Sequence, residues 1–170
     1  KSGDVEILID AGSSTSSIDT LKEHINSYCS DGKLEYVIAT HAHEDHIAAF
    51  TSTSSKKGIF ESYEIGTIID YSLTDKTTQI KTKYEEYRQK AVEKGAIHHD
   101  ASYYFTNEVA NEFNSIKISE TITMDILYNK YYFEHSQDEN NYSVCIMINQ
   151  GDNHFLLTGD LEKDGEEEMD

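Results

Sequence analysis

Apolar positions along the chain follow two different periods, and the change between them outlines the fold. "VEILIDAG" is a largely apolar run ending at Asp10 and Gly12, which reads as a buried strand delivering a carboxylate to a turn. "SSIDTLKEHINSYC" then sets Ile18, Leu21, Ile25 and Tyr28 at helical spacing, and "SDGK" stops the helix. "LEYVIAT" is a short second strand that runs straight into His41. "GTIIDYS" is a third, and "KTTQIKTKYEEYRQKAVEKG" is a helix with Ile80, Tyr84, Tyr87 and Ala91 on one face. From Ser115 the period shortens. "SIKIS", "TITMDILYN", "NYSVCIMIN" and "HFLLTGD" read as successive strands, the last two joined by "QGDN" as a hairpin. "LEKDGEEEMD" reads as the acidic start of a helix, its carboxylates at the favourable N-terminal end. The order β-α-β-α-β-α, then strands, then a helix, predicts one layered α/β domain over residues 1–170 with a mixed sheet.

Composition narrows what such a domain can do. A chain of 170 residues is long enough to bury about 70% of its unfolded surface. No apolar run approaches the roughly 18 residues of a membrane span, so none is predicted. The net charge of -18, from 32 acidic and 14 basic residues, repels polyanions and excludes general coating of long duplex DNA. Cys29 and Cys145 are far apart and lack CxxC spacing, so they read as packed thiols and not as zinc ligands.

The chemistry concentrates in "HAHEDH". His41 and His43 stand two apart on an extended tip and project to one side, while Asp45 and His46 follow as the chain turns into "IAAF", a short helix. Neutral imidazole and carboxylate suit a borderline or harder divalent ion, and the C-terminal edge of an α/β sheet is where ligands bind. One pair can face one ion and the second pair its neighbour. An H-x-H-x-D-H pattern arises by chance on the order of once in a thousand chains of this composition. Four ligands from one loop leave two sites incomplete, and two further donors stand at strand ends: Asp160 after "FLLTG", and Asn140 with Asn141 in "ENNYSV". His135 is close enough in sequence to Asn140 to be weighed as a ligand, with a polar loop residue as its default reading. His24 and His154 read as surface residues. The helix over residues 75–94 is locally basic through Lys76, Lys81, Lys83, Arg88, Lys90 and Lys94. As a lid it would bring His98 and His99 to a substrate, although an ordinary solvated helix face explains it better.

"HAHEDH", preceded by "LIDAG" and followed by "LLTGD", resembles the metallo-β-lactamase superfamily of dinuclear metal hydrolases. The pairing of "ENNYSV" with "FLLTGDLE" is similar to the extracytoplasmic hydrolase domain of ComEC-type DNA-uptake proteins and their secreted stand-alone relatives. The resemblance covers nearly the whole chain. It implies an αββα sandwich with mixed sheets, here lacking a last β-α segment, and a secreted or extracytoplasmic bacterial location. It implies two divalent metal ions, zinc first and manganese as the alternative. His41 and His43 would bind the first, Asp45 and His46 the second, and Asp160 would bridge them, with Asp10 hydrogen-bonded to the ligand loop. Where many members carry a further histidine for the first metal, this sequence offers Asn140, or its neighbour Asn141. The final histidine of an "HHGS"-like segment has no counterpart, since His98 and His99 precede the late strands. The 170-residue chain is therefore expected to hold metal weakly and to turn over poorly alone. The implied reaction is metal-assisted hydrolysis with Asp45 orienting water and accepting its proton, on small-molecule or short nucleic-acid phosphodiesters. The rivals are hydrolysis of a lactone, thioester or β-lactam carbonyl, and a metal-dependent binding or regulatory module without catalysis.

Overall fold

A computed structural model describes residues 1–106, 114–167 and 169 of the chain. The short apolar runs of the first half form β1 (Ile7–Ile9), β2 (Lys33–Ala39), β3 (Glu64–Asp70) and β4 (Ile97–Asp100), side by side in that order and all parallel. Parallel neighbours require crossover connections, and these carry α1 (Ile18–Asn26), α2 (Glu44–Ile47), α3 (Ile59–Ser62) and α4 (Gln79–Glu93). Successive strand residues point to opposite faces. On one face Val37, Ala39 and Ile68 join Ile18 and Ile25 of α1 and Tyr84 and Ala91 of α4 in one buried cluster. On the other face Ile38 and Ile69 join Met124, Ile126, Val144 and Ile146 in a second.

That second cluster is shared with an antiparallel sheet of β5 (Ser115–Lys117), β6 (Ile122–Ile126), β7 (Ile146–Gln150) and β8 (Asn153–Leu157), paired in chain order. The layers therefore run helices, parallel sheet, antiparallel sheet. Outside the last lies the single turn α5 (Lys163–Glu166), beside an apolar groove of about 550 Å³ lined partly by Leu127, Met147, Leu156 and Met169. Among the described residues, this turn is all that stands in the fourth layer of the expected αββα sandwich. Strand directions are also segregated by sheet, and neither described sheet is mixed.

Several local expectations hold and others shift for identifiable reasons. The "QGDN" hairpin forms, with Gln150 opposite Asn153, and both cysteines are buried and free. Ile80 and Tyr87 pack partly buried beside buried Tyr84 and Ala91, as the spacing of that helix predicts. Tyr28, however, is 57% exposed, because α1 stops at Asn26 and the Ser27 hydroxyl donates to the His24 carbonyl at 2.6 Å. Helix α4 starts at Gln79, after Thr78, whose hydroxyl caps it by accepting from Lys81 N at 3.3 Å. Asp75 lies outside it, since its N–H and the Thr74 hydroxyl donate to the Glu139 carboxylate at 3.1 and 2.6 Å.

Strand β4 was not foreseen. Its sequence, Ile-His-His-Asp, pairs with β3 through Ile68↔His98 and Ile69↔His99. At the end of β3 the Asp70 side chain is fully buried and accepts from Tyr84 Oη at 3.0 Å, Arg88 Nη1 at 2.5 Å and His98 Nε2 at 2.8 Å. His99 stacks on Tyr103, with ring centroids 3.8 Å apart. Among the described residues, no helix is long and apolar enough to cross a membrane.

Candidate metal centre

Strand β2 delivers the histidine loop. Thr40 and His41 are buried at its tip, and His43 stays extended (φ -72°, ψ 146°) before the one-turn α2. The His43 carbonyl accepts from His46 N at 3.1 Å and Ile47 N at 3.2 Å, which folds Asp45 and His46 back toward the tip. The loop after β1 grips this turn: Ala11 N donates to His46 O at 2.7 Å, and Ala49 N donates to Ala11 O at 2.9 Å. Asp10 there has φ +56°, a left-handed conformation that aspartate tolerates better than most residues. Its carboxylate accepts from Thr40 N at 2.8 Å and Thr40 Oγ1 at 2.8 Å, and lies 2.7 Å from His46 Nδ1. The support expected of Asp10 is thus three hydrogen bonds.

These bonds assign the imidazole protons. The single hydroxyl hydrogen of Thr40 goes to Asp10, so Thr40 Oγ1 accepts from His41 Nδ1 at 3.0 Å. His46 Nδ1 donates to Asp10. Both neutral rings therefore turn an Nε2 lone pair outward, the form a metal ligand needs. His41 Nε2 lies 2.9 Å from His43 Nδ1. His46 Nε2 lies 3.4 Å from Asp160 Oδ2 and 3.9 Å from Asp45 Oδ2. One ligand atom each of His41, His46 and Asp160 falls within 4.8 Å of the others.

Titration separates the two rings. Burial, reinforced by His46 and His43, pushes the His41 pKa down to about 4. The hydrogen bond to Asp10 raises that of His46, against an opposing burial effect. An ordinary histidine titrates near 6.5, so as pH falls from 6.5 toward 4 the unfolded chain takes up a proton that folded His41 refuses, and the contribution of His41 to stability declines. For His46 the sign reverses: its contribution is complete below 6.5 and is lost as pH rises through its elevated value. In the metal-free protein, long-range ¹H–¹⁵N spectra should show His41 neutral at pH 5 with its proton on Nδ1, and His46 still protonated above pH 6.5. Protonation of His41 near 6.5 would contradict this assignment.

The late strands bring the remaining groups. After β8, Gly159 takes φ +58° and turns Asp160 toward the histidines; a Cβ at Gly159 would sit 2.9 Å from both Ser143 Oγ and Thr40 Cβ. Asn140 donates through Nδ2 to Glu162 Oε1 at 3.0 Å, and its Oδ1 is buried without a hydrogen-bond partner among the described residues. Asn141 is 5% exposed; it donates to Ser136 Oγ at 3.0 Å, and its Oδ1 lies 3.2 Å from where a Cβ at Gly165 would stand. His135 is exposed, with Nδ1 3.7 Å from Asp75 Oδ1. His24 packs edge-on to Tyr28, and exposed His154 meets Asn149 Oδ1 at 2.6 Å. His98 and His99 are engaged on β4. The structure thus groups His41, His46 and Asp160, with His43 beside His41 and Asp45 3.9 Å from His46. Two participants were missed by sequence reasoning, Thr40 and Ser143. Thr40 adjoins the histidine motif and Ser143 follows the asparagine pair, but a hydroxyl residue there carries no signal of its own.

The metallo-beta-lactamase superfamily matches this chain over residues 1–53. No curated protein matches it. The matched segment contains β1, β2 and the whole histidine motif, while Asp160 arrives from outside it. The match and the His41–His46–Asp160 grouping suggest a metal-dependent hydrolase. Imidazole nitrogens that converge with a carboxylate at one strand tip are a donor set that fits a divalent ion.

Proposed function

We propose that the chain is a hydrolase with a dinuclear centre acting on phosphodiesters. The observation that carries this reading is the approach of His41, His46 and Asp160 to within 4.8 Å through one ligand atom each, with Nδ1 of both rings already committed to Thr40 and Asp10. His41 and His43 would hold a first ion with the Asn140 amide, Asp45 and His46 a second, and Asp160 would serve both. The Oδ1 atoms of Asn140 and Asn141 both lack a hydrogen-bond partner among the described residues, and Asn140 is preferred because Asn141 Oδ1 is packed against α5. An amide oxygen is a harder donor than imidazole, which brings manganese into contention with zinc. When bound, the ions would supply Lewis-acid charge stabilisation and lower the pKa of water at the site. Asp45, with a side chain 65% exposed, orients the attacking water and takes its proton at Oδ2. Asp10 and Thr40 keep the His41 and His46 rings from rotating.

Two considerations favour phosphodiesters, and a third bounds their size. "ENNYSV" with "FLLTGDLE" is similar to the ComEC-type DNA-uptake domain, which also suggests an extracytoplasmic setting. Paired ions suit in-line displacement at phosphorus. The net charge of -18 then limits the substrate to short or single-stranded chains.

The test is hydrolysis of bis(p-nitrophenyl) phosphate with manganese or zinc added. Metal-stimulated cleavage that Asp160→Ala abolishes is the expected result. Undiminished turnover in Asp160→Ala overturns the dinuclear reading. Cleavage of a lactone, thioester or nitrocefin-type amide with the diester untouched moves the substrate to carbonyls. Metal-dependent partner binding without turnover on any substrate makes the domain a binding module.

A further inference from the structure

Ser143 lies between the Asn140 turn and β7, 102 positions after His41, and is fully buried. Its Oγ accepts from the Asp160 backbone N–H at 3.2 Å and lies 3.5 Å from His41 Nδ1. The backbone on both sides of it is fixed. Val144 N donates to the Thr40 carbonyl at 2.9 Å, and Asn129 Nδ2 donates to the Ser143 carbonyl at 3.1 Å and to that of Asn141 at 2.8 Å. Beside it, Gly159 leaves no room for a side chain: a Cβ there would approach Ser143 Oγ to 2.9 Å and Thr40 Oγ1 to 3.0 Å. The hydroxyl therefore stands where the tip of β2 in the parallel sheet meets the turn after β8 in the antiparallel one.

We propose that Ser143 is a positioning residue of the metal centre, whose hydroxyl sets the Asp160 carboxylate in register with the His41 imidazole. The inference rests on the hydrolase reading for its purpose, but its physical content is narrower. Asp160 comes from a turn of glycine-permitted backbone and is 46% exposed at its side chain. Its N–H bond to Ser143 is the contact that fixes its main chain relative to the His41 ring. Ser143 acts through Asp160 and His41, the groups its hydroxyl meets.

Cobalt(II) titration of the chain, followed by the visible d–d spectrum and by calorimetry, tests this with Ser143→Ala, Ser143→Cys and Ser143→Thr. Loss of groups that orient ligands lowers metal affinity by about 10–100-fold, and that loss is expected for Ala and for Cys, which fills the volume with a weak acceptor. Thr keeps the hydroxyl but adds a methyl at a fully buried position, so its affinity should fall less than that of Ala and Cys, with the spectrum of the unsubstituted chain. In the metal-free protein the Asp160 amide hydrogen should exchange faster in Ala and Cys than in Thr. Unchanged cobalt affinity and spectrum in Ala, or equal losses in all three variants, would overturn the proposal by reducing Ser143 to packing. Affinity losses in Ala and Cys from a chain that cleaves no phosphodiester sustain this inference while removing the substrate assignment.

Discussion

Replacing Asp70 with alanine is expected to lower the stability of the domain by about 3–5 kcal/mol, the cost of breaking a buried ion pair from one side. The carboxylate is fully buried and receives Tyr84, Arg88 and His98 at once, so its removal leaves three donors facing a cavity in the sheet–helix layer. Arg88 keeps 22% of its side-chain surface exposed, enough for water to reach it and for the loss to stay near the lower end of that range. Two of the donors come from α4 and one from β4, so the same change loosens the helix and the edge strand together. For a domain of this size the melting temperature should fall by about 6–20 °C. Asp70→Asn keeps the volume and an acceptor for Tyr84 and should lose less. Urea denaturation of both variants checks the ranking, and an alanine variant within about 1 kcal/mol of the parent would mean that the cluster contributes no net stability.

Gly159→Ala should be the most damaging single methyl added near the metal centre. The residue has φ +58°, which costs a side-chain-bearing residue about 1–2 kcal/mol. Its new Cβ would also press on Thr40 Cβ and Ser143 Oγ at 2.9 Å, and overpacking of this kind adds about 1–3 kcal/mol. Gly151 provides a matched control: its φ is +57° and nothing lies within 4 Å of the position its Cβ would take. Gly151→Ala should show only the backbone cost. A total near 2–5 kcal/mol is expected for Gly159→Ala, together with a loss of cobalt affinity that Gly151→Ala does not share. Equal destabilisation in the two variants, with equal metal affinity, would show that the close approach at Gly159 has no consequence for the centre.

How far the amino-acid pattern carried the fold depended on whether an element buries an apolar face. Strands β2, β3, β6 and β7 and helices α1 and α4 place Val37, Ile68, Met124, Ile146, Ile25 and Tyr84 in the core, and all were legible from their spacing. Strand β4 was not, because Ile97 is 55% exposed and the next three residues are polar. It exists through pairing with β3 and the contact of His98 with Asp70, neither of which leaves a local trace. The end of α1 and the start of α4 were misjudged where side chains competed for the backbone, at Ser27 and at Glu139. In the metal centre, the imidazoles and Asp160 were visible as residue types at strand tips. Thr40, Ser143 and the left-handed turn at Gly159 were not, since their roles come from three-dimensional proximity between the two sheets. Asn140 was singled out by sequence, yet its side-chain amide donates to Glu162.

The bracket formed by Asp10, Thr40 and His46 has a consequence for a chain still being synthesised. His41 and Ser143 are separated by 102 positions, which at roughly 5–20 residues per second means a wait of about 5–20 s between the first ligands and the groups that complete the centre. During that interval the histidine loop stands without Asp160 and Ser143. Asp10, Thr40, His41 and His46 all emerge early, and their mutual hydrogen bonds join the ends of β1 and β2. Docking of the second sheet, with Val144 N on the Thr40 carbonyl and Asp160 beside His46, then closes a half-site whose own contacts all lie in the first 46 residues.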